Sequence, residues 1–290
     1  MAFYVSYMED SINTDTARMN PTERTLQVLE YIMAAGPGPI KQVDIAQNCR
    51  LSPSTLHRII KSLSDWGYLF RTSEKYCVRN FRLERNVPMS EPYLAKLDQT
   101  INRLTEQLGV SAEVVVVAGH ELLWHSRTEH PDPRVLIRAN VGFRRSLYEL
   151  DALSQLYLSR LDWADIQSRF YIDGFFKTSR HWGHETHQIP PAIVHDQLYA
   201  MKNDYFAADL EGNHMGIRRF ATVIEDPTGQ FLHLLTLAEP VSTIDDEAIY
   251  VQRYRDALTE AREDLTALVV SESVAKRPRP TYHALPQRGG

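Results

Sequence analysis

Residues 40 to 69 read IKQVDIAQNCRLSPSTLHRIIKSLSDWGYL, and few folds accommodate this run. Val43 to Asn48 spell a short helix, and a tight turn follows around Arg50 and Leu51. Ser52 then opens a second helix with Pro53 in its first turn, where a missing N–H costs nothing. In that second helix Leu56, Ile59, Ile60 and Leu63 recur at three-to-four-residue spacing and face a core, leaving Ser54, Thr55, His57, Arg58 and Lys61 on the other faces. The pattern predicts a helix-turn-helix. Small hydroxyls and long cations suit phosphates and base edges in a major groove. An ordinary helical hairpin with a solvated face shares the bare pattern, so the flanks have to decide.

They extend it to a winged helix. Thr25 to Ala34, carrying Leu26, Leu29, Tyr31, Ile32 and Met33, predicts a preceding helix. Trp66-Gly67-Tyr68-Leu69-Phe70 ends the second helix at a glycine and begins an apolar strand, and Lys75 to Val78 supplies its partner after a polar turn at Thr72-Ser73-Glu74. Charge agrees locally. The whole chain carries −5, yet residues 21 to 85 hold ten Lys or Arg against six Asp or Glu, whereas 86 to 273 hold seventeen against twenty-eight. The basic charge lies where a polyanion would dock, and the acidic remainder is excluded from nucleic-acid binding.

With 290 residues and 43% apolar composition the chain can bury two cores. The expected division is a flexible N-terminal extension at 1–20, the winged helix-turn-helix at 21–85, and a linker with a linker helix at 86–109. A second domain at 110–273 and a disordered basic tail at 274–290 complete it. Two cysteines, Cys49 and Cys77, suit free thiols in a reducing cytoplasm. No apolar run reaches membrane-spanning length and the N-terminus lacks signal-peptide character, so a cytoplasmic protein without membrane association is expected.

In the linker, Leu94, Leu97, Ile101, Leu104 and Leu108 form a helical stripe ended by Gly109, a helix that joins the two domains. Glu113–Val117 and Leu122–Ser126 read as a hairpin, Arg134–Ala139 as a strand, and Ala152–Leu161 as a helix. A helix at Ala192–Asn203, strands at Gly216–Glu225 and Phe231–Glu239, and a long helix at Asp245–Val269 follow. This order predicts an antiparallel sheet flanked by helices, an α+β class.

Catalytic patterns are missing: no Gly-x-Ser-x-Gly, no paired Cys and His, no phosphate-binding loop. The chain reads as no enzyme and calls for no cofactor. His181, His184 and His187 form an H-x-x-H-x-x-H run, which opens an alternative, a metal-responsive DNA-binding regulator. Two prolines follow the run and it lacks helical periodicity, so exposed loop histidines are the plainer account.

With these elements in place the chain resembles the IclR family of bacterial transcriptional regulators over most of residues 22–270. The resemblance rests on Arg24-Thr25-Leu26-Gln27-Val28-Leu29, on Ile45-Ala46 through Leu51-Ser52-Pro53-Ser54-Thr55-Leu56-His57-Arg58, and on Trp66-Gly67-Tyr68-Leu69. Val141-Gly142-Phe143-Arg144, Gly216-Ile217 to Ile224 with Asp226 and Gly229, and the strand ending at Pro240 add to it. It implies a winged helix joined by a linker helix to a GAF-like domain binding a small organic effector, often an aromatic or other organic acid. It also implies a homodimer or dimer of dimers on a palindromic operator in double-stranded DNA, acting as repressor or activator.

Carried over by position, the DNA contacts are Ser52, Ser54, Thr55, His57, Arg58 and Lys61 on a recognition helix at Pro53–Ser64, with Arg71 and Lys75 on the wing. Arg50 replaces the turn glycine usual in the family; it either takes up a left-handed backbone or the turn differs, and its charge can meet a phosphate. The implied effector residues are Asp151, Ala152 and Leu153 at a helix start, Ile217 and Arg219 on one strand, and Thr236 and Ala238 on the next. Arg219 has two alternative partners, a ligand carboxylate or a local carboxylate such as Asp151. Asp151 is placed to cap the helix start itself. Leu153 and Phe220 are expected to reshape the cavity, and Glu239, where a glycine commonly precedes the proline, could point into it.

Overall fold

The computed structural model describes residues 19–35, 38–80, 89–178, 185–213 and 215–275. Most of the proposed N-terminal extension and basic tail, together with His181 and His184, fall outside them. The described residues form two compact units, 19–80 and 89–275.

In the first unit, α1 (Pro21–Ala34) begins four residues earlier than the apolar pattern suggests. Asn20 explains this: its side chain accepts from the Glu23 N–H at 3.0 Å while the Glu23 carboxylate accepts from the Asn20 N–H at 2.7 Å, a reciprocal capping box. A two-residue strand β1 (Ile40–Lys41), not foreseen, leads into α2 (Gln42–Asn48). Then come α3 (Pro53–Asp65), β2 (Leu69–Arg71) and β3 (Tyr76–Arg79), with the three strands ordered β1-β3-β2. Gly67, at φ +79°, supplies the left-handed residue that lets the chain leave α3 for β2. Val28, Tyr31, Ile32, Ile45, Leu56, Ile59, Ile60, Leu63 and Leu69 share one core. Leu26 of the expected helix stripe instead stands half exposed. Cys49 and Cys77 are buried free thiols in this core, and burial pushes Cys49 up to about 12, which makes it a packing residue and a poor nucleophile.

The second unit starts with α4 (Glu91–Leu108), capped by Ser90 and closed by Gly109 at φ +74°. A six-stranded antiparallel sheet follows, built from β4 (Ser111–Ala118), β5 (Glu121–Arg127), β6 (Arg144–Ser146), β9 (Phe206–Asp209), β10 (Ile217–Glu225) and β11 (Phe231–Pro240). Its spatial order is β6-β5-β4-β11-β10-β9. One face packs on α4 and on α8 (Glu247–Ala275) through Tyr93, Leu97, Val114, Phe220, Leu235 and Tyr254. The other packs beneath α5 (Ala152–Leu158), α6 (Trp163–Arg169) and α7 (Pro191–Ala200) through Val115, Trp124, Leu153, Leu156, Ile166, Leu198 and Val223. A small hairpin, β7 (Phe176–Thr178) with β8 (Thr186–Gln188), adds a separate two-stranded sheet.

Residues 134–139 do not form the expected strand. Ile137 and Ala139 are buried as their alternation suggests, but their carbonyls accept from the Arg127 guanidinium at 2.7 and 3.1 Å. Their hydrogen bonds are satisfied by a side chain, so no ladder is needed. The edge strand is instead the short β6. No helix among the described residues is long and apolar enough to cross a membrane.

Candidate functional site

In the first unit, the α3 stripe of Leu56, Ile59, Ile60 and Leu63 is buried, and Ser54, His57, Arg58 and Lys61 are exposed on its outer side. Ser52 is exposed too, although its hydroxyl is engaged: it accepts from the Thr55 N–H at 3.2 Å and bonds the Thr55 hydroxyl at 3.0 Å. Ser52 is therefore the cap of α3, and Thr55, half buried, is tied to it. Arg50 does adopt a left-handed backbone, at φ +50°, so the turn keeps its shape with an arginine in place of glycine. Arg71 and Lys75 are exposed on the wing, where Lys75, at φ +60°, closes a tight turn back onto Thr72. The cations thus stand on the outside of a rigid frame, as a surface that meets phosphates requires.

The second unit carries charge inside. Alternation places Ile217, Arg219, Ala221 and Val223 on the face beneath α5. Arg219 is 6% exposed and its guanidinium grips Glu113, which is fully buried, through Nε at 2.9 Å and Nη2 at 3.3 Å. The local carboxylate it meets is thus Glu113, not Asp151. Glu113 lies on β4, two strands away across β11, a span of roughly 10 Å. The intervening residues are Thr236 and Ala238, small enough for the pair to pass over, and the Thr236 hydroxyl donates to Glu113 at 3.1 Å. Burial alone would push Glu113 up, but the Arg219 charge and the Arg219 and Thr236 hydrogen bonds hold it below the usual carboxylate range.

Asp151 caps α5, accepting from the Ser154 N–H at 3.1 Å, and its other oxygen pairs with Arg145 of β6. The guanidinium carbons of Arg145 and Arg219 lie 5.8 and 5.4 Å from the Trp124 ring centre. Asp209, opposite Arg219 on β9, is pushed up by burial and by Asp151. A charged row therefore crosses the sheet beneath α5; Asp151 and Arg219 belong to it, Thr236 bonds Glu113 within it, Ala238 pairs with Arg219, and Ala152, Leu153 and Ile217 lie in the apolar core on the same face.

Two expectations fail here. Phe220 and Glu239 lie on the opposite face: Phe220 stacks on Tyr254 at 4.0 Å, and Glu239 bonds Arg218, Tyr250 and Tyr254. Strand alternation relative to Arg219 and Ala238 already implied this. Glu113, Trp124 and Arg145 were missed, because nothing local in the sequence ties them to α5. A groove of about 580 Å³ lies elsewhere, between α4 and the end of β5, lined by Asp98, Asn102, Glu106, Glu129 and His130 among others. It is open and touches none of the predicted positions, so the buried row is the better-built site. His187 is exposed on β8, 3.7 Å from Glu185, and no metal-binding cluster occurs among the described residues.

The first unit has the architecture of a winged helix-turn-helix, a DNA-binding module, and the second is an antiparallel sheet with helices on both faces. The IclR helix-turn-helix domain model matches residues 21–73. The acetate operon repressor of Salmonella typhimurium (strain LT2) is 21% identical over 240 residues, covering 81% of this chain and 85% of that protein. Among solved structures, the IclR of Thermotoga maritima aligns over 87% of this chain and 100% of its own with TM-score 0.51 at 16% identity. The inducer-binding domain of the PobR transcription factor from Acinetobacter, a double mutant in complex with 3-hydroxybenzoic acid, aligns over 62% of this chain and 99% of its own with TM-score 0.50 at 18% identity. The chain is thus similar in its first unit to the IclR helix-turn-helix domain, and over most of its length to transcriptional regulators of that kind.

Proposed function

We propose that this chain is a DNA-binding transcriptional regulator of the IclR family whose operator binding or activity is set by a small organic effector, an aromatic or other organic acid, held in the second unit beneath α5. The carrying observation is the row of Arg145, Glu113 and Arg219, flanking the Trp124 ring, inside an otherwise apolar core. Buried charge is costly, and a cavity site with convergent polar groups on apolar walls is how small ligands are oriented. The inducer complex of the PobR domain supports the same reading for a similar fold.

DNA binding falls to the first unit. Arg50, Ser54, His57, Arg58 and Lys61 meet the major groove and its phosphates, Arg71 and Lys75 add wing contacts, and Ser52 and Thr55 fix the start of the helix. The protein acts as a homodimer or dimer of dimers on a palindromic operator, residues 21–85 serving DNA and 110–273 the effector.

Fluorescence anisotropy with promoter fragments flanking the gene, titrated with and without a panel of organic acids, tests the reading. An acid that shifts the operator affinity supports it. A panel of acids and neutral aromatics that neither binds the protein nor shifts operator affinity would sink it.

A further inference from the structure

Two arginines share the Trp124 indole, and they are used differently. Arg219 presents its side-on edge, Nε with Nη2, to Glu113 and is satisfied. Arg145 spends Nη1 on Asp151, while its own Nε and Nη2 are buried without a hydrogen-bond partner. The Glu149 carboxylate stands 4.0 Å from that Nε, outside hydrogen-bond reach. Ser154, fully buried, also has a hydroxyl without a partner, and its N–H is bonded to the Asp151 that holds Arg145. Unsatisfied buried donors are rare in folded proteins and call for an acceptor. The two free donors of Arg145 lie on one edge of a planar fork, the spacing that a carboxylate fills with two parallel bonds.

We propose that the Nε/Nη2 edge of Arg145 seats the carboxylate of the effector as Arg219 seats Glu113, with the Ser154 hydroxyl as a further donor and the Trp124 ring as a wall for the apolar body. This rests on the effector reading above and narrows it. Glu149, Asp151 and Asp209 lie near Arg145 and repel added negative charge, so a second carboxylate on the ligand is rejected. The ligand class is a monocarboxylate with an apolar body. Arg219, whose fork is full, is a structural partner of Glu113 and leaves the ligand alone.

Calorimetry on the full chain with acetate, benzoate and 3-hydroxybenzoate, against benzamide and phthalate at matched ionic strength, tests this. The parent is expected to bind the aromatic monocarboxylates well above benzamide and phthalate. Arg145→Gln should weaken the tightest of them roughly 10- to 100-fold, the value of a charge-assisted pair. Arg145→Lys should restore only part, because an ammonium offers no fork. If Arg145→Gln does not fold, Ser154→Ala serves instead, with an expected loss of about fivefold for one neutral donor. Arg145→Gln, or failing it Ser154→Ala, binding as tightly as the parent would overturn the proposal, as would benzamide matching benzoate. If neutral aromatics bind and no carboxylate does, the Arg145 seat falls while the effector reading stands; if neither series binds, both fall.

Discussion

Arg218 and Arg219 are adjacent in sequence and are anchored on opposite faces of one sheet by different buried carboxylates. Arg218 reaches Glu239 at 3.2 Å and the carbonyls of Leu210 and Ser242 on the α8 side, and Arg219 reaches Glu113 beneath α5. Each layer of the second unit is thus pinned by its own ion pair. Removing one member of a buried pair strands the other, so Arg219→Met or Glu113→Leu alone should cost about 3–5 kcal/mol. The double change Glu113→Leu with Arg219→Met should cost much less than the two single losses together. Urea unfolding followed by tryptophan fluorescence measures all three, and additive losses would mean the two groups do not depend on each other.

His233 gives a pH signature. It is fully buried on β11, its Nε2 lies 2.8 Å from the Tyr93 hydroxyl of α4, and burial lowers its pKa from 6.5 to about 4. Between those values the unfolded chain binds a proton and the folded chain does not, so stability falls as the pH drops through that window, by on the order of 3 kcal/mol in all. Asp209 and Glu225 are raised, and their folded forms gain stability over the same descent. Comparing His233→Phe with the parent cancels those groups. The variant should start lower, having lost the Tyr93 bond, and fall more gently from pH 6.5 to 4. Parallel curves of unfolding free energy against pH would show that His233 is not the buried neutral base described.

The first unit was legible because its signals are local. The period of Leu56, Ile59, Ile60 and Leu63, the Ser52-Pro53 start and the Gly67 exit lie within one stretch of chain, and the helices fall within a few residues of where those signals put them. The second unit was legible in its strands and faces but not in its site. Arg219 and Glu113 are 106 residues apart in sequence and meet across a third strand. Periodicity carries no information about such a pairing. Arg145 lies on a strand of three residues, too short to show alternation. At Ile137 and Ala139 alternation correctly marked burial and still misled about the strand, because burial and ladder pairing are separate properties that Arg127 here uncouples.

The exposed face of α3 sorts DNA contacts by salt. Arg58 and Lys61 touch nothing in the core, so alanine at either should leave the melting temperature unmoved. If Arg58 reads a base edge, its loss should cost about 1–3 kcal/mol and relax sequence choice. If Lys61 meets phosphate, its loss should weaken all sequences alike and reduce the salt slope by about 1. Anisotropy titrations from 50 to 200 mM salt on operator and scrambled DNA decide both. Unchanged affinity in both variants would mean that α3 is not the recognition helix.

At Arg50 stability and affinity should move in opposite directions. A left-handed residue with a side chain costs roughly 1–2 kcal/mol, and glycine returns most of that while losing about half of it through the greater freedom of the unfolded chain. Arg50→Gly should therefore leave the first unit as stable as the parent or up to about 1 kcal/mol more so. The same change removes an exposed cation at the mouth of the helix-turn-helix, and a lost phosphate contact should weaken DNA binding with a flatter salt dependence. Thermal unfolding and anisotropy on the one variant separate the two effects. A variant that is both more stable and as tight on DNA would show that the arginine makes no phosphate contact, leaving its strained backbone without a function in DNA binding.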